Sequence, residues 1–318
     1  MDSSDPLPEI LTARLDDLAR DSTSGATPLA QKAASILLLA IDPQLEIAEA
    51  ALPALLIDLT HAIIRTQPTM APMLNLGNRI LQSMHHAVPG TELRARIRGL
   101  AGAIINQLDT SNARIALHAQ GLFQDGTIIL THSNSTAVRK SLLQAKESGK
   151  DFSVFCAESR PMREGVELAR ELAKHGILTT LIADAAMASM LPEVNLVIVG
   201  ADSVSLRGLV NKVGTCGLAL SAHAQGIPLY VLCGSEKFIP AAFVVIDKNK
   251  PAEELLPEPA ANVAVRNVYF DTTPLDRITG VISEEGILRV AEIRKTLSTL
   301  ETSFAIRPEL LGPPFTSR

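Results

Sequence analysis

The stretch IVGADSVSLRGLVNKVGTC, residues 198–216, decides how the second half of the chain folds. An apolar run ends at Val199, the carboxylate of Asp202 follows directly after Gly200-Ala201, and Gly214-Thr215 then opens a helical run. An acid at the carboxyl end of a buried strand, followed by a glycine-led helix start, is typical of the ligand-binding edge of α/β proteins. We expect the backbone N–H groups of this helix start to be free for an anion.

Strand and helix patterns alternate around this stretch from about residue 122 onward. The predicted strands are Thr127–Leu130, Phe152–Phe155, Leu178–Ile182, Leu196–Val199 and Leu229–Cys233. The predicted helices are Lys140–Ser148, Val166–Lys174, Ala185–Met190 and Gly217–His223. This alternation predicts an α/β fold with a doubly wound parallel sheet that is covered on both faces.

Before residue 122 the apolar residues recur at helical spacing instead. Four stripes show it: Leu7, Ile10, Leu11 and Leu15; Ala30, Ala34, Leu37 and Leu38; Leu52, Leu55, Leu56, Leu59 and Ile63; and Leu93, Ile97, Leu100, Ile104 and Ile105. We predict a helical N-terminal domain over residues 1–121, a Rossmann-like ligand-binding domain over 122–305 and a C-terminal tail over 306–318.

Composition narrows the classes of function. Apolar residues make up 47% of the 318 residues and charged residues 20%, so a large core is expected. A net charge of −5, no Trp and no dense Lys/Arg run disfavour a nucleic-acid partner. The acidic start lacks a signal pattern, and the apolar stretches are too short to span a bilayer. The three cysteines form no CxxC pair, so we expect a cytoplasmic, soluble protein without disulfides or structural zinc.

Polar residues follow four of the predicted strands, where parallel sheets present their ligand-binding side chains. These four segments are Thr131–Thr136, Glu158–Gly165, Asp184, and Gly200–Asp202 with Asn211-Lys212 behind it. Arg160 supplies a planar fork for phosphate oxygens and Lys212 a point charge. The set favours a phosphorylated small molecule.

Each of these residues also has a purely structural interpretation. Ser133, Ser135 or Thr136 could cap the helix that follows, Arg160 could form a surface ion pair, and Asp202 could hydrogen-bond a turn. For Asp184 we predict the structural role, as N-cap of the Ala185 helix. For His132 a packed, hydrogen-bonded histidine is the expectation, rather than a base.

The motifs resemble one superfamily in order and in spacing. They are ILTHSNSTAV, ESRPMREG, DAAMASMLPEVNLVIVGADSV, NKVGT, EKFIP and NVYFDTTPLDRITGVISEEG. That superfamily holds ribose-1,5-bisphosphate isomerase, methylthioribose-1-phosphate isomerase and the α, β and δ regulatory subunits of eukaryotic initiation factor 2B. The resemblance covers residues 122 to 290 well and the helical half weakly. It implies a small helical domain before a Rossmann-like one.

The resemblance also implies roles for particular residues. In the isomerases a cysteine and an aspartate flank the sugar carbon that is interconverted between aldose and ketose. The aspartate falls on Asp202 and the cysteine on Ser133, so these two are the candidate catalytic residues. The implied substrate- and phosphate-binding residues are Arg160, Asn211, Lys212 and the loop Ser24, Gly25 and Ala26, to which we add Ser135 from the first strand end.

The sequence departs from the family pattern at several of these positions. A thiol titrates near ~8.5, whereas a serine hydroxyl needs an adjacent base, so Ser133 does not simply inherit the role of the cysteine. Gln67 and Ser24 stand where the family has arginines, and Arg207-Gly208 replaces an Asn-Gly pair. Cys216 offers one compensation, because a helix start lowers the pKa of a thiol; the alternative is a small packing cysteine.

Two functions stay open at this point. The first is an aldose–ketose isomerase of a ribose-phosphate-type substrate that uses Asp202 and needs no metal or organic cofactor. The second is a non-catalytic regulatory subunit, similar to those of initiation factor 2B, that senses a sugar phosphate or nucleotide. The resemblance implies a homodimer, or a higher oligomer, in either case. The composition and the short apolar stretches predict no nucleic-acid or membrane partner.

Overall fold

The computed structural model describes residues 7–21, 24–84, 90–245, 250–302 and 306. The chain forms two compact units. The helical unit comprises Met1–Thr110, Ile239–Val245 and Leu300–Arg318, and the α/β unit comprises Ser111–Phe238 and Ile246–Thr299. The predicted tail lies outside the described residues, apart from Ile306.

The helical unit is built from amphipathic helices, as the apolar spacing predicted. They are α1 (Glu9–Arg20), α2 (Ala26–Ala40), α3 (Leu52–Thr66), α4 (Ala71–Ser83) and the first part of α5 (Gly90–Ala119). The apolar stripe of α1 buries Leu11, Leu15 and Leu18. Pro72 occupies the first turn of α4, where its missing N–H breaks no helical hydrogen bond. The helical N-terminal region is thereby confirmed.

A seven-stranded, mostly parallel sheet forms the centre of the α/β unit and confirms the predicted fold class. Its strands are β1 (Thr127–His132), β2 (Phe152–Ala157), β3 (Leu178–Ile182), β4 (Leu196–Val199), β7 (Leu229–Leu232), β9 (Gly280–Ser283) and β10 (Gly286–Arg289). Their order is β10-β9-β7-β4-β1-β2-β3, and only β10 runs antiparallel to its neighbour. The helices of the unit include α6 (Thr136–Glu147), α7 (Glu164–Lys174), α8 (Met187–Met190), α9 (Thr215–Ala224) and α10 (Val290–Ser298).

The strand order places a topological switch point between β1 and β4. From β1 the chain moves outward to β2 and β3, and it then returns to the other side of β1 as β4. All four residues of β4 are buried, which explains its continuous apolar sequence. Ligands of open α/β sheets bind outside the carboxyl ends of the strands at such a point.

A second, small sheet follows Asp202 and was not predicted. It consists of β5 (Ser203–Ser205), β6 (Gly208–Lys212) and β8 (Phe270–Thr273), all antiparallel. Its strands are short and contain Ser, Thr, Asn and Asp, so they lack the apolar run by which the central strands were recognised. This sheet carries Lys212 and Asp271. Among the helices of the described segments, none is long and apolar enough to cross a membrane.

Candidate active site at the sheet switch point

The loops after β1 and β4 meet at the switch point. A Cβ atom added to Gly200 would lie 2.5 Å from the Cβ of Ser135, so only glycine allows this close approach. Ser135 is the N-cap residue of α6, yet its hydroxyl makes no capping hydrogen bond. Asp202 follows Gly200 by two residues, is half-buried, and donates its backbone N–H to the carbonyl of Val210 at 2.9 Å. The two strand ends that hold Ser133 and Asp202 are therefore neighbours.

Ser133 and Lys212 contact the same carboxylate oxygen. The Ser133 hydroxyl donates to Glu164 Oε1 at 2.9 Å, and Lys212 Nζ lies 2.8 Å from that oxygen. Lys212 is buried, and its Nζ is 5.2 Å from the centre of the Tyr269 ring. A serine hydroxyl that lacks a thiol's acidity needs an adjacent proton acceptor; the structure supplies one in Glu164, which the sequence did not predict.

Glu164 reaches this position because α7 begins unusually close to β2. A Cβ atom on Gly165 would lie 1.8 Å from the backbone oxygen of Ala157, so the close contact requires glycine. Glu164 is the first residue of α7, where a carboxylate is favoured by the helix dipole. Its second oxygen, Oε2, is buried, and none of the residues that the structure describes gives it a hydrogen bond. Such a group costs about 1–3 kcal/mol, and sites of function often hold such groups.

The residues behind Ser133 form a hydrogen-bonded support. His132 is buried, and its Nε2 donates to the Val213 carbonyl at 2.8 Å while Nδ1 faces the Ser159 hydroxyl at 3.3 Å. Burial lowers the pKa of His132, and hydrogen bonding to Val213 and the charge of Asp184 offset part of this effect. The packed histidine of the sequence prediction is therefore the one observed.

The prediction that Asp184 caps the following helix is wrong. The position before the helical turn at Asp184–Ala186 belongs to Ala183, and no side chain caps that turn. The Asp184 carboxylate instead accepts the backbone N–H groups of Ser159 and Arg160, both at 2.7 Å. Asp184 thereby holds the loop after β2 in place, since a carboxylate that takes two amide hydrogen bonds binds them strongly.

Three residues of these loops adopt left-handed backbone conformations that non-glycine residues rarely take. Their φ angles are 72° at Ser133, 65° at Ser159 and 61° at Arg163. Such conformations persist only where the surrounding contacts enforce them, and they concentrate at functional sites. The backbone of Ser133 is held by its N–H, which donates to the Ser159 hydroxyl oxygen at 2.8 Å.

The expectation of free donors at the start of α9 is also wrong. Asp271 on β8 accepts the backbone N–H of Gly214 at 2.7 Å and that of Cys216 at 3.2 Å. The protein's own carboxylate thus occupies the place that the sequence assigned to a ligand anion. Burial raises the pKa of Asp271, and the two amide hydrogen bonds counteract that rise in part.

Cys216 does not have the lowered pKa that a helix start was expected to give it. Burial and the neighbouring charge of Asp271 both raise the pKa of its thiol. Burial likewise raises the pKa of Cys156 to about 12. The pKa of Cys233 is raised by burial and by nearby carboxylates, Asp202 among them. A thiolate is the reactive form of cysteine, so the hypothesis that Cys216 replaces the missing thiol is disfavoured.

The remaining predicted residues of the α/β unit take separate positions. Asn211 is buried and donates to the Thr215 hydroxyl at 3.0 Å, so it braces the turn between β6 and α9. Arg160 is exposed, and among the described residues no carboxylate pairs with its guanidinium. It is thus a cation that remains available to a phosphate group. Within the described segments no cluster of three or more His, Cys, Asp or Glu side chains forms a metal site.

The predicted loop Ser24, Gly25 and Ala26 belongs to the helical unit. Ser24 donates its N–H to Asp21 at 2.9 Å, Gly25 is the N-cap residue of α2, and Ala26 begins that helix. Gln67, in the place of a family arginine, donates to the carbonyls of Leu18 and Asp21 at 3.1 and 3.2 Å. Its amide therefore ties α3 to the end of α1. A cavity of about 670 Å³ in this unit is lined by Arg14, Asp17, Leu18, Pro28, Gln31, Lys32, Ser35, Ile36 and Leu39.

The α/β unit is thus an open, mostly parallel α/β fold of the small-molecule-binding type, with polar side chains gathered at its switch point. The chain belongs to the Initiation factor 2 subunit family, whose sequence profile matches residues 22–290.

Two relatives and one crystal structure define the similarity more closely. The translation initiation factor eIF-2B subunit 2-like protein of Pyrococcus horikoshii is 34% identical over 286 residues, which cover 89% of this chain and 97% of the relative. Ribose 1,5-bisphosphate isomerase of Archaeoglobus fulgidus is 33% identical over 234 residues, 72% of this chain and 74% of that enzyme. A crystal structure of Pyrococcus horikoshii translation initiation factor eIF-2B superposes with a TM-score of 0.79 at 33% identity, covering 89% of this chain and 98% of that one.

Proposed function

We propose that the protein binds a phosphorylated sugar at the switch point and interconverts its aldose and ketose forms. The observation that carries this proposal is the meeting of Ser133 and Lys212 at one carboxylate, beside the strand end that holds Asp202. The similarity to ribose 1,5-bisphosphate isomerase supports the reaction class. Arg160 would bind the phosphate group through its planar fork.

Asp202 would act as the acid and base at the first two carbons of the sugar. Its carboxylate takes the proton of the hydroxyl-bearing second carbon, and the electrons of that C–H bond form the double bond of an enediol whose first oxygen carries the phosphate. The bond from the first carbon to the ring oxygen breaks at the same time, and the ring oxygen takes up a proton. A proton is then returned to the first carbon, while the hydroxyl of the second carbon loses its proton and becomes the carbonyl of the ketose. Ser133 would hydrogen-bond the reacting end, and closure against water would protect the enediol. The scheme requires no metal or organic cofactor.

The test is turnover of ribose-1,5-bisphosphate and of methylthioribose-1-phosphate, followed by NMR of the sugar carbons. The parent protein should convert one of them, and Asp202→Asn should lose about 10²–10⁴-fold in kcat, the range of general acid–base catalysis. Asp276→Asn, an exposed aspartate of the same unit, is the matched control and should keep parental activity. Absence of turnover with both sugars would refute the enzyme.

A non-catalytic sensor is the second candidate, and one observation favours it. The ammonium group of Lys212 pairs with Glu164, and Asp271 accepts hydrogen bonds at the start of α9, so two of the expected phosphate-binding groups are already engaged. The similarity to an eIF-2B subunit 2-like protein supports the same reading. A sensor would gain thermal stability from a sugar phosphate or nucleotide without turnover, and Ser133→Cys would create activity if the site is a retired active site.

We further propose a homodimer formed through the α/β unit. The edge strand β3 supports this proposal, because Leu178 and Leu181 are 74% and 46% exposed there. An exposed apolar edge strand readily pairs with another chain. Light scattering after size exclusion should give twice the mass of the chain, and Leu178→Lys should shift the protein toward the monomer. A monomeric parent protein would refute the dimer.

A further inference from the structure

Tyr269 contacts both the buried lysine of the candidate site and a chain segment, residues 250–254, to which the proposed function gives no role. The Nζ atom of Lys212 lies over two aromatic rings, 5.2 Å from the centre of the Tyr269 ring and 5.8 Å from that of Phe270. Phe270 is the register partner of Lys212 between β6 and β8, and Tyr269 directly precedes it. An ammonium group at this distance is attracted to an aromatic face. The two rings therefore restrict the positions that the Lys212 side chain can take.

The same segment holds Tyr269 through hydrogen bonds. The Tyr269 hydroxyl donates to Glu254 Oε1, and the Asn267 side-chain amide donates to Glu254 Oε2 at 2.6 Å. Asn267 also donates to the Pro251 carbonyl at 2.8 Å, and its own carbonyl accepts the Lys250 N–H at 2.8 Å. Tyr269 and Asn267 are buried, whereas Glu254 is half-buried. A carboxylate that accepts hydrogen bonds from two buried side chains fixes the position of both.

The restricted position of Lys212 matters for anion binding. A mobile lysine side chain loses rotamer freedom when it binds an anion, and this ordering weakens the binding. In the free protein Lys212 is already ordered, because Tyr269 contacts its ammonium group and Glu164 Oε1 lies 2.8 Å from it. An ammonium group has three donors, so Lys212 can keep Glu164 and still donate to a phosphate oxygen.

We propose that Tyr269 is the positioning residue of Lys212 and that Glu254 fixes Tyr269 in this role. The inference rests on the proposed function, in which Lys212 belongs to a phosphosugar site. Tyr269 acts on the ligand through Lys212, by keeping the ammonium group in the place where a phosphate meets it. The segment 250–254 is then the outer support of the site.

The experiment measures the affinity for inorganic phosphate by isothermal titration calorimetry. Tyr269→Leu should weaken it about threefold to tenfold, the cost of ordering one lysine side chain. Tyr269→Phe keeps the ring and should stay within about twofold of the parent. In a Lys212→Met background Tyr269→Leu should cause no further loss, because the group through which Tyr269 acts is gone. Equal losses with and without Lys212 would overturn the positioning role, and so would parental affinity in Tyr269→Leu.

Tyrosine fluorescence tests the role of Glu254 without any ligand. The chain has no Trp and two Tyr, so in a Tyr230→Phe background the emission comes from Tyr269 alone. A phenol that donates to a carboxylate emits weakly, so Glu254→Gln in this background should increase the emission. Glu253→Gln, at the exposed neighbouring acid, is the matched control and should leave it unchanged. Equal emission from the two variants would overturn the role of Glu254.

The outcomes also distinguish this inference from the proposed function. If the phosphate affinities change as expected and neither sugar is turned over, the isomerase fails and the role of Tyr269 stands. If a sugar is turned over and Tyr269→Leu binds phosphate like the parent, the inference fails and the isomerase stands. If the parent does not bind phosphate, the phosphosugar site fails and the inference fails with it.

Discussion

The starts of α7 and α9 share a left-handed backbone conformation just before the helix, but they differ in where their negative charge comes from. Each follows a residue in the left-handed region, Arg163 before α7 and Gly214 before α9. The first turn of α7 carries its own acid, Glu164, whose side chain reaches out to Ser133 and Lys212. The first turn of α9 carries no acid and instead receives the carboxylate of Asp271 from β8.

The difference teaches that a helix start is an anion site only where the chain itself brings no carboxylate to it. Asp271 lies 57 residues beyond Gly214, on a strand of the small sheet. Its carboxylate satisfies amide donors that would otherwise face solvent or a ligand. At α7 the carboxylate belongs to the helix itself, and Glu164 contacts Ser133 and Lys212.

The largest expected effect tests the close approach that positions α7. Gly165→Ala would place a methyl group 1.8 Å from the Ala157 carbonyl oxygen, so the backbone must shift. We expect the free energy of unfolding to fall by about 3 kcal/mol or more, in the range of severe core substitutions. Urea denaturation followed by circular dichroism measures it.

Gly217→Ala in the first turn of α9 is the matched control. A Cβ atom there meets no atom within 4 Å, and the position is exposed. Alanine is the better helix former, so the variant should be as stable as the parent or about 0.5–1 kcal/mol more stable. Equal losses in the two variants would show that the contact of Gly165 with β2 is not what distinguishes the two helix starts.

Much of the fold was predictable because its signals are local. The strand β4 was predicted with its observed bounds, Leu196–Val199, since a buried parallel strand is a continuous apolar run. The strand β3 was predicted equally well from Leu178–Ile182. The small antiparallel sheet was missed, because β5, β6 and β8 are short and polar and are stabilised by pairing between distant segments.

The sequence predicted which residues of the candidate site lie at the strand ends, but it did not predict which side chains contact each other there. Ser133, Arg160 and Asp202 could be located because polar residues follow buried strands. Glu164 had a weak signal, an acid directly before a helix-opening glycine. Asp271 had no such signal beyond its place in a recognised motif, because its contacts with Gly214 and Cys216 join segments that are far apart in the sequence. Sequence reasoning thus finds the groups, whereas tertiary contacts decide which of their donors and acceptors remain available.

The second largest effect is expected when the carboxylate of Asp271, which caps α9 from the strand β8, is removed. Asp271→Ala leaves the N–H groups of Gly214 and Cys216 without their acceptor, so the free energy of unfolding at pH 7 should fall by about 1–2 kcal/mol, as for other lost caps. Asp276→Ala, at an exposed aspartate, should change it by less than about 0.5 kcal/mol. Urea titrations in which Asp271→Ala matches Asp276→Ala would show that Asp271 does not stabilise this helix start.

A third prediction concerns the pH dependence contributed by His132 behind Ser133. Burial lowers the pKa of folded His132, so below the ordinary imidazole value of about 6.5 the unfolded chain binds a proton more readily. The stability that neutral His132 provides is present above that value and is lost as the pH falls. The free energy of unfolding should therefore decrease more from pH 7 to pH 5 in the parent than in His132→Gln.

The control for His132 is an exposed histidine of the same unit. His175→Gln lies at the end of α7 and should keep the steeper parental decrease. If the free energy of unfolding of His132→Gln decreased from pH 7 to pH 5 as steeply as that of the parent, the titration of His132 would not be coupled to folding.

The smallest expected effect measures the charge that Asp271 places at the start of α9. Burial and this carboxylate raise the pKa of the Cys216 thiol, so native protein should react slowly with iodoacetamide at pH 8. Asp271→Asn keeps an acceptor for the amides but removes the charge, so the thiolate fraction and the alkylation rate of Cys216 should both increase. Cys156 and Cys233 are buried, and Cys216→Ser should abolish the increase, as peptide mass spectrometry would report. An unchanged alkylation rate in Asp271→Asn would mean that burial alone sets the reactivity of Cys216. The charge of Asp271 would then have no measurable effect at the start of α9.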